Sequence, residues 1–216
     1  MKKYKIVLFD MDGTILDTLQ DLADSVNWAL RTCGLPERRF DEIRRFLGNG
    51  IFNLIHRSVP EGTPQEKEDE VRTVYKHRYE QHCNDTTKPF AGIPEAMRVL
   101  RDRGYKLACV SNKPDDDVAR LAEQHFAGLL DDWSGPLPGM AIKPAPDLCD
   151  RILQRAGLTR ADAVYVGDTE VDIETAKNAG MDCIVCAWGF RDEDWLAECG
   201  ARTMIHRPEE LLEYLP

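Results

Sequence analysis

Ile6-Val7-Leu8-Phe9-Asp10-Met11-Asp12-Gly13-Thr14 is the stretch on which the reading of this chain turns. Four apolar residues run directly into two aspartates one residue apart, and Gly-Thr follows. A short continuous apolar run is the pattern of a strand buried on both faces, as in a parallel sheet. In open α/β sheets ligands bind just outside the carboxyl ends of the strands, and Asp10 falls there. Side chains i and i+2 of an extended segment project to one side, so Asp10 and Asp12 can face one small site. Gly13 permits a sharp departure from the strand, and Thr14 adds a hydroxyl and a backbone N–H. As a bare tetrapeptide the same residues would make an ordinary turn. Two carboxylates this close repel unless a cation or a shared proton lies between them, and Mg²⁺, a hard ion that takes oxygen ligands, is the economical partner.

From Phe90 onward helices and strands alternate. Gly92-Ile93-Pro94 opens a helix that ends at Gly104, and Lys106 to Val110 is a strand leading into Ser111-Asn112-Lys113-Pro114-Asp115. A helix then runs to about Phe126, the stretch Leu129 to Met140 reads as irregular, and Ile142-Lys143-Pro144 leads into a helix from Asp147 to Ala156. Ala163 to Val166 is a strand ending in Gly167-Asp168-Thr169-Glu170-Val171-Asp172. After one more helix, Cys183 to Ala187 is a strand, Thr203 to Ile205 a weak edge strand, and Leu211-Leu212 belongs to a closing helix. This rhythm predicts a doubly wound, mostly parallel α/β sheet. Leu16 to about Lys88 differs. Leu22, Val26, Ala29, Leu30 and Cys33 recur at helical spacing, shorter helices follow Asp41 and Ile51, and a charged helix runs from Pro64 to His82, with no strand pattern. The expected division is a core of residues 1–16 and 88–216 with an inserted helical domain at 17–87.

Composition narrows the function classes. The 216 residues carry 28 Lys and Arg against 38 Asp and Glu, a net charge of −10, and the basic residues form no cluster. Binding to nucleic acid or an anionic membrane through a charged face is therefore not expected. The start Met1-Lys2-Lys3 is basic, but the apolar run after it is too short for a signal peptide, and no stretch reaches membrane-spanning length. Seven cysteines, an odd and scattered set, suit a reducing cytoplasmic setting. Cys183 and Cys186 have C-x-x-C spacing, yet on a strand they point to opposite faces and no second pair completes a zinc site.

Asp10-Met11-Asp12-Gly13-Thr14 resembles the first motif of the haloacid dehalogenase superfamily in its phosphatase version, the second aspartate being absent from members that dehalogenate. Three further motifs are similar and come in order: Ser111-Asn112-Lys113, Lys143-Pro144 and Gly167-Asp168-Thr169-x-x-Asp172. The resemblance implies that Asp10 is a nucleophile forming an aspartyl-phosphate, with Asp12 as general acid and then base. Mg²⁺ would be held by the Asp10 carboxylate, the Asp12 backbone carbonyl and Asp168, with Asp172 orienting the metal's waters or the lysine. Thr14, Ser111, Asn112 and Lys143 are the expected phosphate contacts, Lys143 also tempering the repulsion among the carboxylates.

The helical insertion resembles the superfamily's mobile cap, hinged near Asp17-Thr18 and Thr87 to Phe90. Within it Phe46-Leu47-Gly48-Asn49-Gly50-Ile51 is similar to a segment of phosphoglycolate phosphatases, so Gly48, Asn49 and Gly50 are a candidate substrate loop, or simply the link between two helices. The expectation is a Mg²⁺-dependent hydrolase of a small phosphate ester, phosphoglycolate first. A sugar phosphomutase, a nucleotide or pyrophosphate phosphatase and a non-catalytic binding member stand as alternatives.

Overall fold

The computed structural model describes residues 4–216; Met1-Lys2-Lys3, the basic start of the chain, lies outside them. In chain order the elements are β1 (Ile6–Phe9), β2 (Leu16–Asp17), α1 (Leu19–Thr32), α2 (Phe40–Phe46), α3 (Gly50–Ser58), α4 (Gln65–His82), β3 (Lys88–Pro89) and α5 (Ile93–Asp102). They continue with β4 (Lys106–Val110), α6 (Asp115–Phe126), β5 (Asp132–Ser134), α7 (Asp147–Ala156), β6 (Ala163–Gly167), α8 (Glu170–Ala179), β7 (Asp182–Cys186), α9 (Glu193–Glu198), β8 (Met204–Ile205) and α10 (Leu211–Tyr214). Two compact units result, one of residues 4–16 and 89–216, the other of residues 17–88.

The larger unit is a doubly wound α/β fold. Its sheet has the order β5-β4-β1-β6-β7-β8, and each neighbouring pair runs parallel. β1 is central because all four of its residues are buried, which only a strand flanked on both sides and covered on both faces allows. Its register sets Phe9 beside Cys109 on one side and Val166 on the other. The chain winds outward from β1 to β4 and β5, then returns to β6 on the opposite flank. This reversal is the topological switch point at which such sheets open a crevice. Ile6, Leu8, Val110 and Tyr165 pack on one face with Leu148, Ile152, Ala176 and Ala179 of α7 and α8.

β5 corrects the expectation that Leu129 to Met140 is irregular. Three residues, Asp132-Trp133-Ser134, pair with Ala108 to Val110. So short a strand with a polar end has no periodicity of its own; its pairing with β4 creates it. Short strands also mark both crossings into the helical unit, at Leu16–Asp17 and Lys88–Pro89, where none were expected.

The helical unit packs α1 and α4 through the stripes that the spacing predicts. Leu22, Val26, Ala29 and Leu30 are buried on α1, and Val71, Tyr75 and Tyr79 on α4. The last two rings stack with centroids 5.6 Å apart. Near the unit's ends, Asp21 accepts four hydrogen bonds, from the N–H and hydroxyl groups of Thr86 and Thr87. Gly48 and Asn49 lie in the turn from α2 into α3, Asn49 directly before the helix and Gly50 as its first residue.

Candidate active site

The carboxyl ends of β1, β4 and β6 bring the singled-out residues of the larger unit together. Asp10 leaves β1 with its N–H donated to the Val166 carbonyl at 2.8 Å, so strand pairing continues up to the acid itself. Its Oδ1 accepts the Met11 N–H at 2.7 Å and pairs with Lys143 Nζ at 2.8 Å. Lys143, 2% exposed, donates also to Asp172 Oδ1 at 2.8 Å and to the Tyr165 hydroxyl at 3.0 Å. Three N–H donors thus meet three acceptors, the complete capacity of an ammonium. Burial works against the Lys143 charge, but Asp10 and Asp172 outweigh it and push its pKa up.

The acids carry the opposite imbalance. Burial pushes the Asp10 carboxyl well above its ordinary value, repulsion from Asp172 adds to this, and Lys143 offsets only part. Asp168 is pushed up to about 7 by burial and then by Asp172, against the pull of the Phe190 N–H and the Thr14 hydroxyl. Three buried carboxylates, Asp10, Asp168 and Asp172, can place one oxygen each within 4.8 Å of one another. One lysine cannot neutralise three acids, and the donors are all hard oxygens. The set therefore fits Mg²⁺. Asp172 is the least available of the three. Lys143 and Tyr165 take its Oδ1, while the Thr169 hydroxyl and the N–H groups of Asp168 and Thr169 take Oδ2.

Sequence reasoning missed the strap that fixes Asp168. After β7, Trp188 donates its indole N–H to the Thr14 carbonyl at 3.1 Å, and the Phe190 N–H donates to Asp168 Oδ2 at 2.7 Å. Arg191 closes the strap on Glu170 with two bonds, at 2.6 and 3.0 Å. A Cβ at Gly189 would lie 2.2 Å from Asp168 Oδ2, and one at Gly13, whose φ is +85°, would lie 2.4 Å from the same oxygen. Only glycine fits on either side of that carboxylate. A glycine between two aromatics just past a buried strand was the one available signal.

Two expected phosphate contacts have other partners. The Thr14 hydroxyl donates to Asp168 Oδ1 at 2.9 Å, because the turn that follows Asp10 brings it against β6. The Asn112 side chain clamps the Lys143 backbone from both ends, donating to its carbonyl at 3.0 Å and accepting its N–H at 2.7 Å. Its amide thus holds the lysine's loop in place. Ser111 is buried with Oγ accepting the Lys113 N–H at 3.2 Å, which leaves the hydroxyl proton to donate. Asp12 Oδ2 pairs with Lys113 Nζ at 3.2 Å, and Asp12 Oδ1 is buried without a hydrogen-bond partner.

Comparison with known proteins agrees with this geometry. Residues 7–186 match the model of the haloacid dehalogenase-like hydrolases. A phosphoglycolate phosphatase of Psychrobacter arcticus is 32% identical, covering 98% of this chain and 95% of its own. One of Aquifex aeolicus is 30% identical, covering 86% of each. A Lactobacillus delbrueckii subsp. bulgaricus crystal structure, provisionally assigned as a phosphoglycolate phosphatase, superposes with a TM-score of 0.94 at 37% identity, covering 99% of this chain and 98% of the other. The chain belongs to the haloacid dehalogenase-like hydrolase family and stands among its phosphoric monoester hydrolases. No helix among the described residues is long and apolar enough to cross a membrane.

Proposed function

We propose that the protein hydrolyses a small phosphate ester in a Mg²⁺-dependent reaction through an aspartyl-phosphate on Asp10, with 2-phosphoglycolate as the leading substrate. The observation that carries this reading is the pair Asp10 and Lys143, a buried carboxylate held by a saturated ammonium at the sheet's switch point. Oδ1 of Asp10 is fixed by Met11 and Lys143, so Oδ2 is the oxygen that attacks phosphorus. As the Asp10 O–P bond forms, the ester P–O bond breaks, and Asp12 gives the leaving oxygen a proton from its unpartnered Oδ1. Asp12 then takes a proton from water as the water oxygen attacks phosphorus. The Asp10–phosphorus bond breaks, inorganic phosphate leaves, and the Asp10 carboxylate is restored.

Ser111 holds a phosphoryl oxygen; Lys143, its donors taken by Asp10, Asp172 and Tyr165, sets its positive charge beside the phosphoryl group, and Asn112 holds its loop in place. Asp10, Asp168 and the Asp12 carbonyl would hold Mg²⁺, whose charge neutralises phosphoryl oxygens in the transition state. The helical unit of residues 17–88 serves as the cap, its Gly48-Asn49-Gly50 turn contacting the leaving group, and the enzyme works in the cytoplasm. Names of the relatives support the substrate. The test is phosphate release from a panel of small esters with and without Mg²⁺. Mg²⁺-dependent preference for 2-phosphoglycolate is expected; weak release from all esters alike removes the named substrate, and no release from any removes the hydrolase.

A further inference from the structure

The Tyr165 hydroxyl is a polar group that packing does not call for. Tyr165 lies in β6 between Val164 and Val166 and is wholly buried. A phenylalanine would fill the same space, and a buried hydroxyl costs free energy unless it finds partners. Here it finds two of the charged groups of the site. It accepts from Lys143 Nζ at 3.0 Å and donates its one proton to Asp172 Oδ1 at 3.1 Å, the Val110 carbonyl at 3.4 Å being the poorer acceptor. Asp172 Oδ1 also takes Lys143 Nζ at 2.8 Å, so hydroxyl, ammonium and carboxylate close a triangle. Of the three groups it is the ammonium that reaches Asp10.

We propose that Tyr165 is a positioning residue, its hydroxyl fixing the ammonium of Lys143 beside the phosphoryl group. A lysine ammonium rides on a long flexible stem. Two acceptors, Asp10 and Asp172, set its distance from each but let it swing about the line that joins them. The Tyr165 oxygen lies off that line and stops the swing. The stop matters because a misplacement of about 1 Å in a reacting constellation costs about 100-fold in rate. Burial, and then Asp172, push the hydroxyl well above its ordinary pKa, so it remains a neutral donor and acceptor. Tyr165 thus acts through Lys143 and not on the substrate. This inference rests on the hydrolase reading and names what keeps the charge beside the phosphoryl group in place.

The test is a double-mutant cycle of Tyr165→Phe and Lys143→Met. Tyr165→Phe removes the hydroxyl and keeps the ring, whose centroid lies 5.7 Å from Lys143 Nζ. On the best ester of the panel, Tyr165→Phe is expected to lower kcat about tenfold with KM within about twofold of wild type. In the Lys143→Met background the same substitution should change kcat by less than about twofold. An unchanged kcat overturns the proposal. So does an equal loss with and without Lys143, which would make the hydroxyl a prop for the fold or for Asp172 alone. Melting temperatures of the wild type, both single variants and the double variant, in chelator-containing buffer, repeat the cycle without turnover and serve where Lys143→Met releases too little phosphate to compare. Non-additive shifts support the hold of Tyr165 on Lys143, and shifts that simply add overturn it. A wild type that releases phosphate from no ester overturns the hydrolase reading alone, and the melting cycle still decides the contact. Circular dichroism verifies that each variant is folded.

Discussion

A cluster of buried acids in one unit and one buried acid in the other show what burial does to a carboxylate. At the switch point of the sheet, Asp10, Asp168 and Asp172 share one lysine, and both Asp10 and Asp168 are driven toward the protonated form. Near the ends of the helical unit Asp21 is buried as well, but by itself. Burial pushes its carboxyl up, and the hydroxyl and N–H donors of Thr86 and Thr87 more than reverse this, holding it below the usual range. Burial is common to both. What differs is whether the fold supplies donors enough to satisfy the charge. Where it does, the acid is structural; where it leaves a surplus of negative charge, the site is prepared for a cation and for chemistry.

Removing the nucleophile should break the comparison at its reactive end. Asp10→Asn is expected to lower kcat by about 10⁴-fold or more while the far-UV spectrum and melting curve stay those of a folded protein. Near-wild-type phosphate release would take Asp10 out of the nucleophile's role. At the structural end, Asp21→Ala leaves two backbone N–H groups and two hydroxyls without their acceptor. Urea denaturation should show a loss of about 2–3 kcal/mol, with activity per folded molecule unchanged. A neutral result would mean that water satisfies those donors equally well.

Gly189→Ala sharpens the comparison by moving one acid without removing it. The added methyl would overlap Asp168, and the Mg²⁺ concentration needed for half activation, together with Mg²⁺ binding measured by calorimetry, should rise about tenfold. Unaltered metal binding would detach the strap from the metal site.

The smallest effect is in the pH dependence of stability, and its sign differs between the two regions. Asp21 has a depressed folded pKa, so its contribution is present above the unfolded value and disappears as pH falls through the folded one. Asp168 has a raised one. Its ionisation therefore costs stability as pH rises from about 4, the unfolded value, toward 7. In chelator-containing buffer at pH 8, Asp168→Asn should melt about 5 °C above wild type, and the gap should close near pH 4. A variant that melts lower at pH 8 would show that the hydrogen bonds from Thr14 and Phe190 outweigh the burial of charge.

Much of this site was legible because the sheet writes its signal in a simple form. Buried parallel strands appear as apolar runs, and each such run ends in the residues that the fold presents at its carboxyl edge: Asp10, Ser111 and Asp168. The helices of the inserted unit were legible through their stripes. What escaped was structure made by pairing alone or by main-chain groups. β5 is three residues long and exists through its register with β4. The Trp188 to Arg191 strap acts on Asp168 through a backbone N–H and the lack of a side chain at Gly189, neither of which alters composition or periodicity. Thr14 and Asn112 lie at the expected site and also have protein partners that the sequence did not name. A polar residue at a strand end advertises hydrogen bonding, and only the folded chain decides with what.

The four hydrogen bonds between Asp21 and Thr86-Thr87 have a consequence for ancestry. They join points 65 and 66 residues apart, close to where the chain enters and leaves the helical unit. The cost of closing that long loop is thus met within the insert, and the host needs to admit little more than a short turn's worth of backbone. Such a module can be transplanted, enlarged or exchanged for another between Leu16 and Pro89 while β1 keeps its pairing. Lineages built on one sheet can in this way acquire new helical inserts without re-inventing the strands beneath them.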